Sequence, residues 1–171
     1  MVVLVMGLPG SGKSFFASKL AKAIHAEYIS SDRFRKNLFA KKTYSVKEKE
    51  RVYDEMLLHM LHFLKQNKSV VLDATFYKNG IREKFRKEVA KSGGMVFIEV
   101  IAPESLIKER LRQRREDSEA DFEIYKMIYA AWEPFEEKHL VLHSSNENIE
   151  HMLQKAINYL HSIKNGKRTD R

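Results

Sequence analysis

Residues 7 to 14 read Gly7-Leu8-Pro9-Gly10-Ser11-Gly12-Lys13-Ser14. They complete the pattern G-x-x-x-x-G-K-[ST], and each fixed position has a chemical reason. The glycines let the backbone turn tightly and approach a phosphate with no Cβ in the way. Successive N–H groups then form an anion-binding nest, and the helix that follows adds the positive end of its dipole. Lys13 suits the β- and γ-phosphates, and the Ser14 hydroxyl suits Mg²⁺. Gly7 through Phe15 are therefore the expected nucleotide-binding segment.

Three other groups of residues suit chemistry. In Ser30-Ser31-Asp32-Arg33-Phe34-Arg35-Lys36, Asp32 suits a general base that takes the proton of an attacking hydroxyl. Arg35, one helical turn on, suits an anionic group on the acceptor. Spacing alone equally allows Asp32 or Ser31 to cap the helix that follows. Val70-Val71-Leu72-Asp73 is an apolar run ending in a carboxylate, which suits Mg²⁺ beside a P-loop or else a turn. Arg110 and Arg114 share one helix face and suit the charge that spreads over a transferred phosphoryl group. The alternative there is a solvated basic helix. The acidic stretch Glu116 to Asp121 after them has the composition of a closing lid. His59 and His62, with no cysteine or carboxylate cluster beside them, read as ordinary histidines and not as a zinc site.

The elements that must position these groups alternate along the chain. Strand-like runs fall at Val2–Met6, Glu27–Ser30, Ser69–Asp73, Met95–Ile101 and Leu140–His143. Helical spacing falls at Ser14–Ile24, with Phe15, Leu20, Ala23 and Ile24 as its apolar face, and at Val46–Leu64, led by Val46 and Val52. It returns at Asn79–Lys91, Leu106–Arg115, Phe122–Phe135 and Ile149–Ile163. Repeated βα units predict an α/β fold, a parallel sheet with helices on both faces. Ligands of such sheets bind beyond the carboxyl ends of the strands, which is where the P-loop, Asp32 and Asp73 stand.

The chain has 171 residues, no cysteine and a net charge of +8. The length predicts one domain, 1–163, with a basic tail, 164–171, that frays. The lack of cysteine excludes disulfides and thiolate metal sites and fits a cytoplasmic protein. No apolar run reaches a membrane span, and the first residues lack the basic start of a signal peptide. The positive charge suits anionic partners, from nucleotides to nucleic acid, or simply solvated helix faces.

With the P-loop, Ser31-Asp32-Arg33-Phe34-Arg35, Val70-Val71-Leu72-Asp73-Ala74-Thr75-Phe76, Arg110-Leu111 with Arg114, Ser118-Glu119-Ala120-Asp121 and Glu133-Pro134 in that order, the chain resembles a group of small P-loop kinases. These are the polynucleotide 5′-kinase domains and zeta-toxin-like proteins. The resemblance covers roughly residues 1 to 145. It implies a P-loop NTPase fold with five parallel strands in the order 2-3-1-4-5 and an arginine-bearing lid. It implies ATP and Mg²⁺, the latter at Ser14 and Asp73. Lys13, Asp32, Arg110 and Arg114 become the expected catalytic set, and Asp32, Arg35 and Thr75 the expected acceptor contacts. The expected activity is transfer of the ATP γ-phosphate to a hydroxyl of a small molecule. A polynucleotide 5′-hydroxyl kinase and a non-catalytic ATP-driven switch are the alternatives. The resemblance leaves the acceptor open, and a toxin role and a monomer or homodimer remain compatible with it.

Overall fold

The structure is a computed structural model and describes residues 1–40, 45–90, 94–113 and 121–169. Its elements run β1 (Val2–Met6), α1 (Lys13–Ala23), β2 (Glu27–Ser30), α2 (Ser31–Leu38), α3 (Val46–Lys65), β3 (Val70–Asp73), α4 (Asn79–Val89), β4 (Met95–Ile101), α5 (Glu104–Arg112), α6 (Phe122–Ala130), β5 (Leu140–His143) and α7 (Ile149–Thr169). The five strands form one parallel sheet in the order β2-β3-β1-β4-β5. This is the order that the kinase resemblance implies.

β1 lies at the centre and is buried along its whole length, as a strand covered on both faces must be. The side chains of Leu4, Met6 and Leu72 face one core layer, with Met56, Met60 and Phe85 from α3 and α4. Val3, Val5 and Val71 face the other, with Phe16, Leu20 and Met152 from α1 and α7. This alternation is the period-two pleat of the strands. The sheet register sets the ligand edge: Val5 pairs with Asp73, and Ser30 pairs with Asp73 on its other side. The P-loop, Asp32 and Asp73 therefore leave three adjacent strands at one level.

Several expectations need correction. On α1 the buried face is Lys13, Phe16, Ala17, Leu20 and Ala21. Phe15 is 60% exposed and Ala23 is exposed as well. Lys13 must face the phosphate loop, which turns position 15 outward by helix geometry. Val46 is exposed, since it is the first residue of α3 and lies beyond the core. α6 ends at Ala130, not Phe135, because the residue before Pro134 is pushed out of the helical region. α7 runs on to Thr169, past Ile163, because no proline breaks it.

Candidate active site

The segment between β1 and α1 turns through three glycines in conformations that side chains avoid. Gly10 and Gly12 have φ of 80° and 90°. A Cβ on Gly7 would stand 2.3 Å from the Val100 carbonyl oxygen, and one on Gly12 would stand 2.7 Å from the Ser144 hydroxyl. Gly12 is also the N-cap of α1, with no side chain in front of the first helical N–H groups. The phosphate nest that the motif demands is thus enforced by close packing as well as by turn geometry. Lys13 is buried at the first turn of α1.

Asp73, at the end of β3, is fully buried. Its Oδ2 accepts a hydrogen bond from the Tyr28 hydroxyl at 2.7 Å, while Oδ1 is buried with no hydrogen-bond partner among the described residues. Burial pushes the carboxyl above its usual range, and the neighbouring Lys13 ammonium and the Tyr28 and Ser14 hydroxyls pull it back. Asp32 acts on Asp73 in the opposite sense, as a like charge nearby. Lys13, Ser14, Asp32 and Asp73 are therefore one electrostatic cluster. An unsatisfied carboxylate oxygen beside a hydroxyl is a hard-oxygen donor set, and it fits Mg²⁺.

Asp32 lies in the first turn of α2 but is not its N-cap, which is Ser30, and Ser30 makes no side-chain cap bond among the described residues. Asp32 Oδ1 accepts from Arg35 Nη1 at 3.0 Å. Arg35 is itself buried, and its Nε lies 2.8 Å from Glu48 Oε1 on α3. Arg35, the expected acceptor contact, lies against two carboxylates of its own chain. The half-buried Thr75 hydroxyl is 3.3 Å from the Tyr53 hydroxyl. That hydroxyl also accepts from the Phe76 N–H at 3.3 Å. Thr75 offers its carbonyl to the Gly7 N–H at 3.4 Å, so the end of β3 is stitched to the P-loop.

Arg110 reaches over from α5 on the opposite side. Its Nη1 donates to the Ser144 hydroxyl at 3.0 Å and to the Gly10 carbonyl at 3.4 Å, and Nε and Nη2 both donate to Asn146 Oδ1. The guanidinium is thus docked on the P-loop by the turn between β5 and α7. Arg110, Ser14, Phe15, Gln113, Ser144 and Asn146 share a cavity of about 360 Å³, room for a nucleotide base and sugar. Arg114 and the stretch 114–120 lie outside the described residues.

Sequence reasoning missed Tyr28, Glu48, Ser144 and Asn146. Ser144 follows β5 directly, so the rule applied to the ends of β1, β2 and β3 would have found it at the fifth strand too. Tyr28 and Glu48 carried no such signal, because their roles arise from pairing across elements. Of the two histidines noted in the sequence, His59 meets the Phe34 ring edge-on and His62 bonds Gln66. Among the described residues no group of three or more His, Asp or Glu gathers for a metal, and no helix is long and apolar enough to cross a membrane.

Solved structures with this fold include a gluconokinase from Sinorhizobium meliloti, with a TM-score of 0.74 and 18% identity over 99% of this chain and 96% of that one. A sugar kinase from Janibacter sp. matches with a TM-score of 0.72 and 18% identity, covering 94% of each chain. The APS kinase of Mycobacterium tuberculosis, solved with AMPPNP and APS, matches with a TM-score of 0.69 and 19% identity, covering 94% of this chain and 96% of that one. At these identities the likeness is one of fold. No curated protein sequence matches the chain. The model of an AAA-domain family matches residues 2–134, which hold the P-loop, Asp32, Asp73 and Arg110, and the chain belongs to that family.

Proposed function

We propose that this protein is an ATP- and Mg²⁺-dependent kinase that phosphorylates a hydroxyl of a small molecule. The observation that carries the reading is the single cluster of Lys13, Ser14, Asp32 and Asp73 at the carboxyl edge of β1, β2 and β3. A nucleotide-driven switch needs the first two and the last. It has no use for a second carboxylate, held by a buried arginine, on the acceptor side of the loop.

In this reading the nest of residues 7 to 14 holds the phosphates of ATP, and Arg110, Ser144 and Asn146 line the remainder of the nucleotide. Ser14 and Asp73 would hold Mg²⁺, which when bound neutralises charge on the β- and γ-phosphates. Asp32 takes the proton of the acceptor hydroxyl. The acceptor oxygen forms a bond to the γ-phosphorus while the bond from that phosphorus to the β–γ bridging oxygen breaks, and ADP leaves. Lys13 stabilises the charge that develops on the phosphoryl oxygens. Arg35 and Glu48 keep Asp32 in place.

A small-molecule acceptor is favoured over a polynucleotide 5′ end because Arg35, the basic residue beside Asp32, is already bridged to Asp32 and Glu48. The names of the gluconokinase, sugar kinase and APS kinase that share the fold agree with that preference. A transfer screen with γ-labelled ATP against sugars, nucleosides, aminoglycosides and 5′-hydroxyl oligonucleotides tests it. Label moved to a small molecule supports the reading, and label moved only to oligonucleotides overturns it.

A further inference from the structure

A second cavity, of about 350 Å³, lies beneath the P-loop on the β4 side. Leu8 and Ser11 of the loop form part of its wall, and it shares no lining residue with the nucleotide cavity. Its other walls carry three aromatic side chains, Tyr125, Tyr129 and Trp132, and two carboxylates, Glu99 and Glu104. In a chain of net charge +8, no lysine or arginine lines it among the described residues. Ser11 is fully buried, and its hydroxyl has no hydrogen-bond partner among the described residues.

Each carboxylate is anchored by one oxygen. Glu99 Oε2 is 3.1 Å from His139 Nε2, and Glu104 Oε1 is 2.6 Å from Lys108, which also lies over the Phe122 ring. Tyr125 stacks on Phe122 at 5.1 Å and on Tyr129 at 5.9 Å, so Tyr129 and Trp132 are the rings that a ligand in the cavity would meet. Aromatic faces beside carboxylates, with no cation among the lining residues, attract an organic cation through the ring quadrupoles and by direct charge. The same walls repel phosphate and carboxylate groups.

We infer that this cavity, on the other side of β1 from Asp32, is the subsite for the cationic end of the acceptor, and that the acceptor is a hydroxylated organic ammonium compound. The inference rests on the kinase reading above, and it assigns the acceptor class that this reading leaves open. The positive charge of the chain as a whole points towards polyanions, whereas this cavity points the other way.

Trp132 is the single tryptophan and lines the cavity, so its emission reports occupancy without any need for turnover. The full chain is titrated with choline and, separately, with 3,3-dimethylbutan-1-ol, which has the same shape and hydroxyl but no charge. Choline is expected to change the emission saturably, with the neutral alcohol about tenfold weaker. Glu104→Gln and Tyr129→Ala, both at exposed side chains, are expected to weaken choline while leaving ATP affinity unchanged. Equal binding of the two probes, or no saturable change with choline, overturns the inference. Phosphoryl transfer confined to anionic acceptors also overturns it while leaving the kinase reading intact. Saturable choline binding in a chain that transfers phosphate to no acceptor keeps the cation site and removes the kinase reading.

Discussion

Asp32 can be tested apart from the fold because it is half-exposed and is not the N-cap of α2. Asp32→Asn is expected to lower turnover on the order of 10²–10⁴-fold, the usual contribution of a general base. ATP affinity should stay unchanged, because the proposed phosphate contacts are the loop and Lys13. Measuring kcat with saturating acceptor, alongside ATP binding, checks both halves; unchanged kcat would leave Asp32 a structural role only. Glu48 makes a subtler case, since it touches Arg35 and not the reacting atoms. Glu48→Gln is expected to lower kcat about tenfold or more by loosening Asp32, with KM for ATP unchanged. Restoration by Glu48→Asp distinguishes positioning from a general loss of folding. Of these residues, Asp32 was legible because its place after a strand is written in the chain. Glu48 was not, since nothing local announces which arginine a buried carboxylate will meet.

At the scale of elements, the strands were the legible part. Short β-branched runs between helical stretches fixed four of the five within the observed bounds, and β3 lost only Ser69. Helix ends were less legible because caps and turns decide them. Position 15 was misread because one phenylalanine looks like another until Lys13 fixes the rotation of α1. The segment after β3 also depends on a device that the sequence hides. Arg82 on α4 is buried and donates to the Phe76 carbonyl at 3.0 Å and the Glu133 carbonyl at 2.6 Å. Phe76 takes a left-handed φ of 46°, a conformation that persists only where neighbours impose it. Arg82→Lys is expected to destabilise the protein by about 2–4 kcal/mol in denaturant unfolding, since an ammonium cannot span both carbonyls. A loss well below 1 kcal/mol would show that the clamp is dispensable.

Glu133 joins the same clamp from the other side, accepting from the Asn79 N–H at 2.6 Å. That bond, together with Lys78, holds its carboxyl below the ordinary 4.5. The folded state thus favours the ionised form, so the stabilisation is present above the ordinary value and disappears as pH falls through the folded one. Melting temperatures of the wild type and Glu133→Gln should differ near pH 7 and converge in acid. A difference that persists unchanged to pH 3 contradicts this assignment.

For the whole molecule, topology does most of the work. A parallel sheet in the order 2-3-1-4-5 brings the ends of β1, β2 and β3 to one line, so the P-loop, Asp32 and Asp73, far apart in the chain, become neighbours. Arg110 of α5 and Ser144 after β5 meet over the far side of the P-loop, where the proposed nucleotide cavity lies. The net charge, the plainest number in the composition, does not describe the β4-side cavity, because charge summed over a surface does not give the lining of one cavity. What decides the account is whether these parts transfer a phosphoryl group. The most direct measurement incubates γ-labelled ATP and Mg²⁺ with the acceptor panel for the wild type, Lys13→Ala and Asp32→Asn. The account predicts label on a small hydroxyl compound with the wild type, none above background with Lys13→Ala, and a severe loss with Asp32→Asn while ATP still binds. Transfer that survives both substitutions, or ATP hydrolysis with no labelled acceptor and no dependence on Asp32, would contradict it.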